Sequence, residues 1–121
     1  MKKSLLFFVC FSFILPALGA ISSVKANRFA DFVYLIEGGA KTPYPYGVKS
    51  IKTGGNISKA RAITLNSINN SYKRWEKAGK PNNFVYFFAS RWCPPSADKQ
   101  GNLNWNKNMN FYLKKEGIVI D

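Results

Sequence analysis

Apolar positions recur three and four residues apart in four windows of this chain, and each window stops at a backbone breaker. Phe29, Phe32, Val33 and Ile36 mark the first. Their spacing predicts a helix over 27–37, with Asn27 as N-cap and Gly38-Gly39 ending it. Leu65, Ile68, Tyr72 and Trp75 mark the second, over 58–78, capped by Asn56 or Ser58. Gly79 closes that helix and Pro81 follows, as expected beyond a helix end. Phe84, Phe87 and Phe88 mark a third over 83–92, terminated by Pro94-Pro95. A polar loop with Asp98 and Gly101 leads to a fourth helix over 104–115, with Trp105, Met109 and Tyr112 on its apolar face and Gly117 closing it. Period-two alternation is confined to a few residues around Val48, Ser50 and Lys52, so the loop over 38–56 holds a short β-hairpin or stays irregular. Ile118-Val119-Ile120 is expected to dock as a short strand. The class is mainly α.

The first twenty residues have a different pattern. Lys2 and Lys3 precede an apolar run from Leu5 to Leu15, Pro16 breaks it, and Ala17-Leu18-Gly19-Ala20 supplies small residues. This is the arrangement of a secretory signal peptide, cleaved after Gly19 or Ala20. The run is short for a membrane span, which needs roughly 20 apolar residues; a retained signal anchor is the alternative. The organisation read from the chain is therefore a leader over 1–20 and one domain over 21–121, exported to the periplasm or the exterior, monomeric and without stable membrane insertion once cleaved.

Removing the leader leaves 16 basic and 6 acidic residues, a net charge of +10. A surface that basic suits an anionic partner such as nucleic acid, a membrane or a cell-wall polymer; export counts against nucleic acid. Charge kept for solubility alone is the plainer explanation. Cys93 is then the sole cysteine, which excludes an intramolecular disulfide and leaves the core to packing, for which an aromatic content of 16% is well suited.

The chain has no histidine. That removes the usual zinc ligands, the base of a Cys-His peptidase and the Ser-His-Asp arrangement. No metal or cofactor is expected. Chemistry must then rest on carboxylates, hydroxyls and amides, and Glu37 is the acid to consider. It sits in the apolar stretch FVYLIEGG, at a helix C-terminus, where the helix dipole disfavours negative charge. Burial there raises a carboxyl pKa by disfavouring the charged form, as a general acid requires. The plainer fate of such a residue is a solvated glutamate paired with Lys41.

The segments YLIEGG and YPYGVKSIK resemble the lysozyme-like peptidoglycan glycosidases, in particular the soluble lytic transglycosylases, in which an aliphatic helix ends in Glu-Ser-Gly and a glycine-centred loop lines the cleft. Gly38 stands where that pattern has serine, and no glutamine follows Tyr46-Gly47. The resemblance implies a small lysozyme-like domain that cuts peptidoglycan strands between N-acetylmuramic acid and N-acetylglucosamine, with Glu37 as general acid/base. Tyr44, Tyr46, Ser50, Asn70 and Arg91 are the candidate substrate contacts; Tyr44 and Tyr46 fit packing over the core as well, Asn70 a polar helix face, and Arg91 stacking with Trp92 for packing alone. A hydrolase usually adds a second carboxylate, for which Asp98 is the candidate; Asp98 equally fits a turn former. The rival class is a non-catalytic secreted cationic protein that binds cell wall or another anionic polymer.

Overall fold

The structure is a computed structural model that describes residues 19–49 and 56–121. The leader up to residue 18, Ser50 and the expected Gly54-Gly55 turn lie outside the described residues. Four helices carry the fold: α1 (Ser23–Ile36), α2 (Ile57–Lys77), α3 (Phe84–Trp92) and α4 (Lys99–Lys115). Between α1 and α2, two 3-10 turns cover Gly39–Lys41 and Pro45–Gly47. Among the described residues no strand forms, so the part of the 38–56 loop that is seen takes the irregular course. No helix among the described residues is long and apolar enough to cross a membrane.

The four helices close a ring. α1 packs on α2 and α4, and α3 packs on the same two from the other side. The predicted faces point inward: Phe29, Phe32 and Val33 of α1, Ile68, Tyr72 and Trp75 of α2, Phe84 and Phe88 of α3, Trp105 and Met109 of α4 are all buried. Phe29 is the hub. Its ring meets Phe84 and Phe88 edge-on, with centroids at 5.4 and 5.1 Å, and lies 6.4 Å from Trp105. Burying one such side chain contributes about 1.5–3 kcal/mol, and each edge-on pair adds about 0.5–1.5 kcal/mol. An exposed ion pair contributes about 0–1 kcal/mol, so the aromatic centre, not the charged surface, holds the ring together.

Two helix starts differ from the sequence expectation and a third is decided between its two candidate caps, each because a side chain captures a backbone N–H group. α1 starts at Ser23 because Ser22 accepts from the Lys25 N–H at 3.2 Å; Asn27, expected as the cap, instead donates to the Ser23 carbonyl within the helix. α2 is capped by Asn56, through the Lys59 N–H at 3.0 Å, rather than by Ser58. The largest difference is α4, which begins five residues before Asn104. Asp98 accepts from the Gly101 N–H at 2.8 Å and starts the helix there. A side chain at 101 would meet Asp98 Oδ2 at 2.4 Å, so the glycine that reads as a loop residue is what lets the cap close. The tail also departs from expectation. Residues 118–120 form no strand; Ile118 and Ile120 pack on the core in irregular conformation.

Candidate active site

Glu37 is the C-cap of α1, with φ −85° and ψ 9°. The chain then turns through two left-handed glycines, Gly38 at φ 113° and Gly39 at φ 57°. This turn leaves the glutamate side chain half-buried against the ring. Its Oε2 accepts a hydrogen bond from the Trp105 indole N–H at 2.9 Å. Burial pushes the Glu37 carboxyl above its ordinary range, while hydrogen bonding to Trp105 and Trp92 and the charge of Lys49 pull it partway back. Desolvation is the largest of these effects, so the acid holds its proton to higher pH than a solvated glutamate.

The other wall of the carboxylate is Gly47. A Cβ there would lie 2.5 Å from Glu37 Oε1 and 2.7 Å from Cδ, and its φ of 71° is left-handed as well. Only glycine meets both conditions. The preceding Tyr46 adopts φ 63°, an uncommon conformation for a residue with a side chain. Packing enforces it. The Tyr46 ring is 4% exposed, lies 5.2 Å from the Tyr34 ring, and its hydroxyl accepts from Arg61 at 2.9 Å. Arg61 is itself fixed by Asp31 at 3.0 Å and by Asn27 Oδ1 at 2.9 Å. Tyr46 therefore clamps the Pro45–Gly47 turn between α1 and α2 and presses Gly47 against Glu37.

The residues expected beside Glu37 do not share one place. Tyr46, a candidate both for the substrate and for packing over the core, has a buried ring whose hydroxyl is engaged by Arg61. Asn70 and Arg91 come together, lining one groove of about 290 Å³ between α2 and α3 with Ser67, Arg74, Phe88 and Trp92. Trp92 belongs both to that groove and to the surroundings of Glu37. Tyr44 is 47% exposed beside the turn, and Ser50 lies outside the described residues. Asp98 has its carboxylate committed to capping α4. Lys41, the alternative partner of Glu37, is exposed and forms no ion pair among the described residues.

Gly47 entered the sequence reading only as the centre of the loop that the resemblance brings to the cleft. Trp105 and Trp92 were not legible as site residues: Trp105 reads as part of an apolar face and Trp92 as a packing partner of Arg91. One signal did point to them: a half-buried acid in a chain without histidine needs a donor, and an indole N–H donates without accepting. Cys93 neighbours the site. Burial first, then the charges of Glu37 and Asp98, push its thiol pKa up, so it stays protonated and a poor nucleophile.

The raised carboxyl of Glu37 sets a stability signature that does not depend on substrate. Its folded pKa lies above the unfolded value, so its contribution is fully present below about pH 4 and is lost as pH rises through the folded value. Glu37→Gln removes that loss. The variant is expected to melt a few degrees above the parent at neutral pH, with the difference shrinking toward about pH 4; equal melting temperatures throughout this range contradict the burial assigned to Glu37. No family model matches this chain, and neither the curated proteins nor the solved structures give a match.

Proposed function

We propose that this protein cleaves peptidoglycan glycan strands between N-acetylmuramic acid and N-acetylglucosamine, with Glu37 as the general acid/base. The observation that carries the proposal is a half-buried carboxyl held between the Trp105 indole and the side-chain-free face of Gly47. A proton retained on Glu37 passes to the glycosidic oxygen as the bond to the leaving sugar breaks. The ionised Glu37 then takes a proton from the muramyl hydroxymethyl group, whose oxygen closes an anhydro ring; in the hydrolytic variant it takes the proton from water. The absence of histidine, the leader-like N-terminal pattern and the net charge of +10 on the remainder are in keeping with this reading.

The single-carboxylate route is the better supported of the two, because Asp98 already has a structural task. Asp98→Ala is expected to cost about 1 kcal/mol of stability through loss of the cap and to leave turnover within about twofold of the parent. A loss of about a hundredfold or more, the scale of an acid/base group, would instead make Asp98 the second carboxylate. The decisive experiment is incubation of the purified mature chain with a range of cell walls, followed by mass analysis of soluble muropeptides. Anhydro ends identify a transglycosylase and reducing ends a hydrolase. No release from any wall ends the enzymatic reading and leaves a cationic wall-binding protein.

A further inference from the structure

We propose that the groove between α2 and α3 is a subsite for a carboxylate carried on the muramyl arm of the glycan, held by Arg74 and Arg91. This deepens the reaction proposed for Glu37 and rests on it for the identity of the glycan. The groove takes Ser67, Asn70 and Arg74 from α2 and Phe88, Arg91 and Trp92 from α3. It holds two guanidinium groups and no acid. Its volume of about 290 Å³ is at the small end for a ligand pocket, suited to a substituent rather than to a run of sugar rings.

Arginine usage elsewhere in the molecule sets this pair apart. Arg28 is paired with Asp31 and Glu116, and Arg61 with Asp31. Among the described residues, Arg74 and Arg91 form no ion pair. Arg74 donates from Nη2 to Ser71 Oγ at 3.0 Å, which steadies its side chain, while its Nε is buried without a hydrogen-bond partner. The planar fork of arginine matches a carboxylate, and two such groups in a lining without an acid favour an anion there.

The position of the groove decides which carboxylate. Trp92 lines it and stacks on Phe88 at 5.3 Å, and the Phe88 ring lies 5.7 Å from that of Trp105, the donor to Glu37, so the two sites share one aromatic wall. An anion in the groove belongs to the same chain as the scissile bond. The muramyl arm meets that condition, with either its free lactyl carboxylate or the carboxylates of a stem peptide. A phosphate-rich wall polymer does not carry the bond that Glu37 would protonate.

The test measures binding in the Glu37→Gln protein, where turnover does not interfere. The probes are chitotetraose, the alternating N-acetylglucosamine–N-acetylmuramic acid tetrasaccharide, the same tetrasaccharide with stem peptides, and a glycerol phosphate oligomer. The acidic tetrasaccharides are expected to bind at least about tenfold more tightly than chitotetraose, as charge-assisted hydrogen bonds warrant, and the tighter of the two names the carboxylate source. Arg91→Gln, at an exposed position, and Arg74→Gln should each shrink that preference to about twofold without weakening chitotetraose, a residual too small for a charged hydrogen bond. If Arg74→Gln fails to fold, Arg91→Gln decides alone. Equal affinity for neutral and acidic tetrasaccharides, a preference that survives Arg91→Gln, or tightest binding to the glycerol phosphate oligomer overturns the subsite. Muropeptide release by the parent protein is scored separately, so loss of the reaction and loss of the subsite are distinguishable.

Discussion

Glu37→Gln is expected to lower muropeptide release by at least about a hundredfold, the scale of a positioned acid/base group, while the protein folds and still binds glycan. Glutamine keeps the shape and an oxygen that accepts the Trp105 N–H, seen at 2.9 Å in the parent. It cannot donate a proton to a glycosidic oxygen and recover one. The substitution therefore separates chemistry from architecture. Substrate affinity should change little, and the loss should fall on kcat. Release that persists in the variant would move catalysis to another group. A fall in affinity with kcat preserved would make Glu37 a binding residue.

Gly47→Ala is the second large effect, and it acts through geometry. A methyl group there arrives 2.5 Å from Glu37 Oε1. The left-handed φ of 71° adds about 1–2 kcal/mol for any residue with a Cβ. The turn cannot back away, because Tyr46 is buried and tied to Arg61. The carboxylate is the freer partner, so it swings aside and loses the Trp105 hydrogen bond. A displacement of about 1 Å costs on the order of a hundredfold in turnover, which is larger than the accompanying loss of stability implies. The check is turnover measured beside thermal melting and tryptophan emission: a folded, weakly active protein with altered emission is the expected result. Full activity would mean that the turn and the carboxylate do not constrain one another.

Much of the fold was readable because its information is periodic and local. The faces built on Phe29, Ile68, Phe84 and Trp105 repeat at helical spacing, and each ends at glycine or proline. The first turn of α4 was not readable in that way. Residues 99–103 carry glycine and asparagine, poor helix formers, and what makes them helical is one hydrogen bond from Gly101 to Asp98. The site divides along the same line. Glu37 stood out as an acid in an apolar stretch, a property of its neighbours in sequence. Trp105 and Gly47 contribute through three-dimensional proximity to it, one as donor and the other as the absence of a side chain. Tyr46 stayed open between substrate and core for a related reason: exposure cannot be inferred for an aromatic residue in a loop, and here Arg61, fifteen residues away, draws the hydroxyl inward.

The hydrogen bond between Trp105 and Glu37 joins residues 68 apart in sequence. Closing a loop of that span costs chain entropy that the local helical contacts do not. Until α4 docks on α1, Glu37 is an ordinary solvated carboxylate and is ionised at neutral pH. The setting that lets Glu37 hold its proton to higher pH is therefore completed only when α4 docks on α1. In the proposed reaction the setting of the general acid is thus a property of the closed helical ring and not of α1 alone.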